Sequence, residues 1–600
     1  MLKAASTALA IALASVAAAQ AQPATAPAAA AVRSAEDQAF AALLVDYEHY
    51  QKGEDPFTAG NEGDRAALAQ MPDFSRAAEI RRGEDAKKFA ERLARIDGSR
   101  LSTDDSRLNY AFLTRVLNRA VESVKYDGSR LAFDSEGGPS TFLSYMASST
   151  RIASRADAEA YLQRLDGVPR VFADVTENAR RGIRTKFTQP RSVIESALAV
   201  MRAELAVPLE GDVTLKPFEN LPSTIPAAEQ AQLRERLRKV VTEKVRPARE
   251  AFVKFVETEY MPKARPGLGL GSLPGGKDYY AFLARGYTTT DMTPDQIHAL
   301  GVSEVARIRA EMDTVMRDAG WTGDFPSFLH FLRTDPQFYA TSREDMMEKA
   351  SEIAKRIDDK LPMLFRDSLP RLPYGVRPVP REIEDQYTTG RYNQGSMELG
   401  IAGGYMVNTG KLDQRPLYEL PALTLHEAVP GHHLQIAAQQ ELTDMPWFRR
   451  NADVTAFVEG WGLYSEYLGI EMGIYRNPYE RFGKLSYEMW RACRLVADTG
   501  IHWDGWSIEQ ARACFTDNSA LAPHNIETEL QRYIGWPGQA LAYKIGELKF
   551  KELRHRAEAE LGDKFDVRAF HDFLLTGGPL PMDLLDQRVN GWIAAQKAKP

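Results

Sequence analysis

Three of the ten histidines in this 600-residue chain lie within eight residues: His426, His432 and His433. Glu427 directly follows the first of them. In a helical H-E-x-x-H motif, two imidazoles one turn apart can bind one zinc ion, and the glutamate takes a proton from a water that the metal activates. The cluster therefore indicates a metal site with hydrolytic chemistry.

The spacing is wider than in that motif, because Pro430 and Gly431 are inserted before the second histidine. Proline removes a helical hydrogen bond, and glycine permits an unusual backbone conformation. We therefore expect a helix that is distorted at this point, which could bring His426 and a later histidine together. The spacing alone leaves both His432 and His433 open as the second ligand.

Glu459 is the candidate third ligand, 26 residues after His433 in the apolar string F-V-E-G-W. A buried carboxylate is costly unless it is paired, and a metal ion would pair it. Glu466, seven residues later, falls near the same helix face as a rival ligand or as a group that supports a ligand. Since catalytic zinc takes three protein ligands and one water, we expect one Zn²⁺ per chain, with His426 as the first ligand.

Helical patterns dominate the sequence around these residues. Capping boxes at Thr293–Gln296 and Ser507–Gln510 each predict the start of a helix. Leu233–Val256 and Tyr543–Leu561 are long, charged and amphipathic, which favours surface helices. Pro247 should kink or split the first of them.

Strand patterns are few, and Gly404–Asn408 is the clearest. No shift of composition divides residues 33–600. We therefore predict one large, mainly α-helical domain over this range, with two lobes around a cleft.

The N-terminus has the pattern of a signal peptide, predicted over residues 1–21, and an Ala/Pro-rich leader follows over residues 22–32. Its apolar run is too short to span a membrane, and no later stretch is long enough, so no span is expected in the mature chain. We expect a periplasmic or secreted protein. There, Cys493 and Cys514 could form a disulfide or remain two buried thiols.

The charge balance argues against nucleic acid as a partner. Lys and Arg total 75 against 82 Asp and Glu, which gives a net charge of −7. A duplex-binding protein needs clustered positive charge, and no such cluster is evident. The oligomeric state is not indicated by the sequence.

The string H-E-A-V-P-G-H-H-L-Q at residues 426–435 resembles the signature of a bacterial family known as domain of unknown function 885. That family is grouped with the gluzincin metallopeptidases, such as carboxypeptidase Taq, thimet oligopeptidase and angiotensin-converting enzyme. The resemblance implies a mainly α, long-helix zincin fold with a small edge sheet and a deep central cleft. It covers most of the chain, with further matching segments at residues 273–289, 457–461, 536–546 and 562–592.

The resemblance also implies roles for individual residues. The better-known relatives carry H-E-x-G-H, with glycine before the second ligand, which favours His432 over His433. Glu459 stands where the relatives have their third ligand. The relatives also hold the oxyanion with a His and a Tyr nine or ten residues apart, and His524 and Tyr533 match that spacing here.

Three further residues are candidates for substrate binding. Arg532, just before Tyr533, could bind a substrate carboxylate with two hydrogen bonds, although a surface salt bridge is equally open. Tyr543 is a second candidate, after Tyr533, for the tyrosine that contacts the oxyanion. The strand at Gly403–Asn408, which includes Tyr405, is expected to line the cleft as an edge strand and to pair with extended substrate.

Together these observations predict a zinc-dependent, peptidase-like hydrolase that acts on short peptides, carboxypeptidase-like or oligopeptidase-like. Glu427 would deprotonate the attacking water and pass the proton to the leaving amine, while Tyr533 and His524 stabilise the oxyanion. The alternative is an exported, non-catalytic binding or scaffold protein that contains the metal. Glu427 favours catalysis, because a purely structural site has no need of it.

Overall fold

The computed structural model describes residues 34–135, 137–381, 384, 387–397 and 400–599. The predicted signal peptide and leader lie outside these residues. The described chain is mainly helical, as predicted. Its first helices are α1 Ala35–Glu54, α2 Pro56–Asn61, α3 Arg65–Leu68, α4 Arg76–Leu93, α5 Asp104–Ser123, α6 Pro139–Ser149, α7 Arg155–Asp166, α8 Val168–Thr185, α9 Arg191–Ala206, α10 Ala227–Val240, α11 Arg246–Phe255 and α12 Gly276–Thr288. The later helices are α13 Pro294–Asp318, α14 Phe325–Thr334, α15 Arg343–Asp358, α16 Leu420–Glu427, α17 His432–Gln440, α18 Trp447–Arg450, α19 Thr455–Glu471, α20 Pro478–Thr499, α21 Ile508–Asn518, α22 Pro523–Gly535, α23 Ala542–Leu561, α24 Val567–Thr576 and α25 Met582–Lys597.

Three short strands form one small sheet: β1 Tyr374–Pro378, β2 Gly390–Asn393 and β3 Gly403–Val407. β3 is the strand that the sequence predicts, and it lies in the centre. It pairs with β1 in parallel and with β2 in antiparallel orientation. The expectation that β3 is an edge strand is therefore wrong, because both of its edges are already paired. β2 is the edge strand on the side of the candidate metal centre.

Helices α19 and α23 pack at very short range. A Cβ atom added at Gly460 would lie 2.5 Å from the Cα of Gly546, and one added at Gly546 would lie 1.9 Å from the carbonyl oxygen of Ala456. Both positions therefore need glycine for the two backbones to approach this closely. The contact brings α23, with Tyr543, against the helix that carries Glu459.

The start of α23 is buried, so the prediction of a surface helix holds only for its later turns, where Glu552, His555 and Glu560 are exposed. Lys544 is fully buried and donates hydrogen bonds to Glu488 of α20 at 2.8 Å and to Glu547 at 2.7 Å. It also forms an ion pair with Glu304 of α13 at 3.0 Å. Charged residues at helical spacing suggest a face exposed to solvent. The sequence does not show when such residues form buried ion pairs with residues of other helices.

The described residues form two large apolar cores. Helices α6 to α11 enclose one of them, and α1, α4 and α5 join the later helices around the other. The predicted kink at Pro247 is confirmed as a split: α10 ends at Val240, a single π-helical turn follows, and α11 begins at Arg246.

Local predictions in the second half are also confirmed. Thr293 and Ser507 form the expected capping boxes of α13 and α21. Cys493 of α20 and Cys514 of α21 form a disulfide, one of the two outcomes left open by the sequence. Within the described ranges, none of the helices combines the length and the apolar character needed to cross a bilayer.

Candidate metal centre

The histidine string folds as two helices with a sharp break between them. α16 ends at Glu427 and α17 begins at His432. The peptide bond between Val429 and Pro430 is cis, and the indole Nε1 of Trp461 donates a hydrogen bond to the carbonyl oxygen of Pro430 at 2.8 Å. The predicted distortion is thus confirmed, and α19 supports it from the side.

Gly431 makes the break possible. Its N–H donates to the carbonyl oxygen of Leu425 at 3.0 Å, so the chain folds back onto the last turn of α16. A Cβ atom at this position would lie 2.0 Å from the carbonyl oxygen of His426 and 2.5 Å from that of Leu425. Only glycine therefore fits, and the close approach brings the second histidine beside the first.

His426, His432 and Glu459 each place one potential ligand atom around a common space. Glu459 Oε2 lies 3.5 Å from His426 Nε2 and 3.3 Å from His432 Nε2, and all three atoms lie within 4.8 Å of one another. The two imidazole rings are perpendicular, with centroids 4.7 Å apart. Ligands about 2.0–2.1 Å from a tetrahedral zinc ion lie roughly 3.3–3.4 Å from each other, so the two separations to the carboxylate oxygen match.

The chemistry of these donors also fits a zinc ion. Within the part of the chain that the structure describes, Glu459 Oε2 is buried and has no hydrogen-bond partner. Burial alone would raise the pKa of Glu459, but the His432 and His426 imidazoles hold it well below its usual range. Two imidazole nitrogens and one charged carboxylate oxygen are a usual ligand set for catalytic zinc.

His433 points elsewhere. Its Nε2 lies 3.0 Å from the carbonyl oxygen of Leu372, and its Nδ1 lies 3.1 Å from the hydroxyl of Tyr392. Burial lowers the pKa of His433 to about 4, so its ring is neutral. Since both ring nitrogens are engaged away from Glu459, the geometry favours His432 as the second ligand.

Glu466 lies behind His426, on the side away from Glu459. Its Oε1 accepts a hydrogen bond from His426 Nδ1 at 2.9 Å and lies 3.3 Å from Nη2 of Arg491 on α20. Both charged side chains are almost fully buried. A carboxylate on the far nitrogen of a metal-binding histidine orients the ring and makes it a stronger donor. The geometry thus favours the supporting role for Glu466 over the role of ligand.

Glu427 is held by the edge strand of the small sheet. Its Oε2 accepts a hydrogen bond from the backbone N–H of Tyr392 in β2 at 2.8 Å. The other residues on α16 are buried as well, and the Glu427 carboxylate acts electrostatically on the imidazole of His426. No sequence signal predicts this contact, because the donor is a backbone atom on a distant strand.

The hydroxyl of Tyr533 is engaged on all sides in a buried network. It donates to Glu529 Oε2 at 2.8 Å and accepts from Trp490 Nε1 and from Arg494 Nε, both at 2.9 Å. Its side chain is only 1% exposed. These three bonds give Tyr533 a clear structural role, and its role toward an oxyanion stays a prediction.

Tyr543 lies against the candidate metal centre instead. Its ring is nearly parallel to that of His426, with centroids 6.4 Å apart. The guanidinium carbon of Arg494 lies 4.1 Å from the centroid of the Tyr543 ring. Burial and the nearby Glu459 carboxylate raise the pKa of Tyr543, so its phenol remains a hydrogen-bond donor at neutral pH.

Arg532 and His524 both lie on α22. Arg532 donates from Nη1 to Gln539 Oε1 at 2.8 Å and from Nη2 to Glu529 Oε2 at 3.2 Å. His524 is half-buried in the first turn, where its carbonyl oxygen accepts from the hydroxyl of Thr528 at 3.1 Å. Arg532 thus belongs to the Tyr533 network, while the function of His524 remains a prediction.

Tyr405 is fully buried behind the site. Its hydroxyl shares a hydrogen bond of 3.2 Å with the hydroxyl of Thr424 on α16. Because β3 is the central strand, this side chain supports the helix that carries His426 and Glu427. Tyr405 thus has a structural role, and we propose no substrate contact for it.

Sequence reasoning did not single out Arg491 and Arg494, although a signal for them exists. Both lie in the string W-R-A-C-R-L-V, where they are flanked by apolar residues on a helical segment. A buried guanidinium needs a partner, so each arginine implies an anionic or polar group nearby. The structure identifies these groups as Glu466 and Glu529.

Two solved structures share this fold. A candidate lipoprotein from Colwellia psychrerythraea is 27% identical, with a TM-score of 0.86, and the match covers 94% of this chain and 100% of that one. A candidate lipoprotein of unknown function from Shewanella oneidensis is 18% identical, with a TM-score of 0.66, over 91% and 99% of the two chains. An M32 carboxypeptidase from Deinococcus radiodurans R1 reaches a TM-score of only 0.29 at 13% identity, over 80% and 99% of the two chains, too slight a likeness to support an argument.

No curated protein is significantly similar to the chain. The family described as "Bacterial protein of unknown function (DUF885)" matches residues 56–589, which is nearly the whole described chain. This is the family that the histidine string resembles. The protein therefore belongs to the DUF885 family.

Proposed function

We propose that this protein is a zinc-dependent hydrolase that cleaves amide bonds in short peptides. The observation that carries the proposal is the meeting of His426 Nε2, His432 Nε2 and Glu459 Oε2 at separations of 3.3 and 3.5 Å to the carboxylate oxygen. Glu427 directly follows the first ligand, which is the position of the general base in the H-E-x-x-H motif. A structural zinc site normally has four protein ligands, whereas three leave a position for water.

The residues around the ion would divide the chemistry among themselves. When bound, zinc polarises a carbonyl group and makes a water molecule more acidic. Glu427 accepts a proton from the attacking water and then donates it to the leaving amine. The N–H of Tyr392 holds one carboxylate oxygen of Glu427, which leaves the other free for the proton. Glu466 and Arg491 keep His426 oriented.

Tyr543 is the proposed oxyanion donor. Its ring lies 6.4 Å from that of His426, and its raised pKa keeps the phenol protonated. A fixed donor that is aimed at developing negative charge stabilises the transition state. The edge of β2, beside Glu427, is the proposed place for extended substrate to pair, since β3 has no free edge.

We further propose that the protein is exported and acts on peptides outside the cytoplasm. The predicted signal peptide supports this location, and so does the description of two structural relatives as candidate lipoproteins. The disulfide between Cys493 and Cys514 is in keeping with an oxidising compartment.

The first test is the metal content of the purified mature chain by mass spectrometry. We expect close to one zinc per chain, lost in His426→Ala and in Glu459→Ala. His433→Gln serves as the matched control and should keep the zinc, since its ring nitrogens are bonded elsewhere. Glu427→Gln should keep the zinc but lose at least about 100-fold in peptide cleavage.

Two results would contradict the proposal. A wild-type chain that binds no zinc, even when zinc is supplied, would remove the metal from the mechanism. Full peptidase activity in Glu427→Gln would remove the general base. Zinc binding with no cleavage of any peptide or amide in a broad library would instead support the non-catalytic binding protein.

A further inference from the structure

The guanidinium of Arg494 is a buried cation beside the candidate metal centre. Its carbon atom lies 4.1 Å from the ring centroid of Tyr543, whose ring is in turn 6.4 Å from that of His426. It also lies 4.6 Å from the ring centroid of Trp490. Arg494 is 3% exposed, so it has little contact with solvent.

Only part of this guanidinium has a partner. Nε donates to the hydroxyl of Tyr533 and Nη2 donates to Glu529 Oε2, both at 2.9 Å. Nη1 is buried and has no hydrogen-bond partner among the described residues. An unsatisfied charged donor in the interior is costly, so Nη1 would gain from an acceptor oxygen brought by a ligand.

Arg532 provides a second guanidinium at the same place. Its Nη2 donates to Glu529 Oε2, the same carboxylate oxygen that Arg494 contacts, and its Nη1 donates to Gln539. The side chain of Arg532 is 12% exposed, which makes it the more accessible of the two arginines. Two guanidinium groups thus meet at one oxygen, and the Tyr543 ring lies near both Arg494 and the metal-site histidine His426.

We infer that Arg494 and Arg532 form a site for a carboxylate of the peptide substrate, so that cleavage depends on that carboxylate. The inference rests on the proposed function and adds a substrate class to it. Guanidinium groups bind carboxylates through paired, charge-assisted hydrogen bonds, and the free Nη1 of Arg494 supplies a donor that no described residue uses.

The position of the site also predicts where the peptide is cut. The ring distances place Arg494 about 10 Å or less from the ring of His426, a length that an extended peptide covers in about three residues. If the carboxylate is that of the C-terminus, the enzyme removes one to three residues from that end. The other source of this carboxylate is an acidic side chain of the peptide near the cleaved bond.

The test compares four forms of one short peptide that the wild-type protein cleaves. They are the free acid, its C-terminal amide, the amide with glutamate as last residue, and the N-acetylated free acid. We expect kcat/KM to fall about 10- to 100-fold from acid to amide and to be unchanged by acetylation. Recovery with the glutamate amide would identify an acidic side chain as a second source. Equal rates for acid and both amides would overturn the inference.

Arginine variants connect this preference to the site. In Arg494→Gln and Arg532→Gln the acid-to-amide ratio should fall toward one, and in Arg494→Lys it should be intermediate, because lysine keeps the charge but not the planar fork. This ratio does not depend on how much of a variant is folded. Arg512→Gln, which removes a partly exposed ion pair with Glu527, is the matched control and should keep the wild-type ratio. An unchanged ratio in Arg494→Gln and Arg532→Gln would contradict the assignment.

Failure of the proposed function would look different. In that case neither the acid nor the amide is cleaved, and binding of both peptides to the wild-type chain by calorimetry tests the site by itself. Binding of the acid at least 10-fold tighter than the amide would support the carboxylate site without any catalysis. Equal affinities would overturn it.

Discussion

The choice between neighbouring side chains decides the chemistry at the scale of single residues. His432 and His433 are consecutive on α17, so they point about 100° apart, and only one of them can face Glu459. His432 lies 3.3 Å from that carboxylate, whereas His433 is bonded to Leu372 and Tyr392. Identical residue types therefore have different roles because of the direction in which the helix presents them.

The two tyrosines near the site should respond differently to loss of the hydroxyl. Tyr543→Phe removes the proposed oxyanion donor, so we expect kcat to fall about 100- to 1,000-fold with zinc content and stability unchanged. Tyr533→Phe leaves Glu529, Trp490 and Arg494 without their shared partner, and it should lower the free energy of unfolding by about 1–3 kcal/mol. Steady-state kinetics and urea unfolding of both variants check this. A loss of kcat in Tyr533→Phe, with a loss of stability only in Tyr543→Phe, would assign the oxyanion role to Tyr533.

Glu419 should make stability dependent on pH. Burial raises its pKa to about 8, although Arg415, Arg491 and Arg333 partly oppose this. The unfolded chain has the ordinary pKa of about 4.5, so the folded state holds an extra proton between these values. Stability from this group is therefore fully present below pH 4.5 and is lost as pH rises through 8.

Glu419→Gln removes that dependence. Relative to wild type, we expect the variant to gain stability between pH 5 and pH 9 in urea unfolding. Glu250→Gln, which changes an exposed glutamate of α11, is the control and should follow the wild-type curve. A variant curve for Glu419→Gln that is parallel to wild type would show that Glu419 is ionised in the folded protein at both pH values.

Two features decide the site at the scale of elements: the break between α16 and α17, and the close packing of α19 on α23. The break shortens the distance between His426 and His432, which a regular helix would place too far apart. The packing brings Tyr543 to the helix of Glu459. Both features require glycine, at Gly431 and at the contact of Gly460 with Gly546.

Gly431→Ala tests the break. The added methyl carbon would lie 2.0 Å from the carbonyl oxygen of His426, so the two helices must separate. We expect zinc affinity to fall at least 10-fold and unfolding free energy to fall by about 1–3 kcal/mol. Gly591→Ala in α25, with no atom within 4 Å, is the control and should be neutral or stabilising. Wild-type zinc affinity in Gly431→Ala would show that the site tolerates a wider break.

At the scale of the whole molecule, buried charges and one disulfide connect the helices that surround the site. Lys544 and Glu488 tie α23 to α20, and Arg494 and Glu529 tie α20 to α22. The disulfide joins α20 to α21. Because α20 takes part in all three connections, its position determines where Arg491 and Arg494 stand relative to the metal centre.

The disulfide should contribute to the stability of this arrangement. For a loop of 21 residues, the chain-entropy model gives about 3 kcal/mol. We expect urea unfolding of Cys493→Ala/Cys514→Ala to show a loss of that order, with zinc binding retained. A reducing agent should shift the wild-type curve toward that of the variant and leave the variant curve in place. A wild-type curve insensitive to reduction would show that the bond contributes little.

The sequence by itself determined the helical class, the capping boxes and the distortion at Pro430 and Gly431. It also narrowed the candidate ligands to His426, one of His432 and His433, and one of Glu459 and Glu466. These are local properties: hydrophobic period, proline and glycine chemistry, and the donor atoms of each side chain. Family membership was also evident from the histidine string, and the match over residues 56–589 confirms it.

Only the tertiary structure decided which groups meet. It placed β3 in the centre of the sheet, set Tyr392 on Glu427, and turned His432 rather than His433 toward Glu459. It also buried the start of α23, whose charges suggest a surface helix. Strand order, side-chain direction and buried ion pairs depend on contacts between residues far apart in the chain, and such contacts leave no pattern in a single sequence.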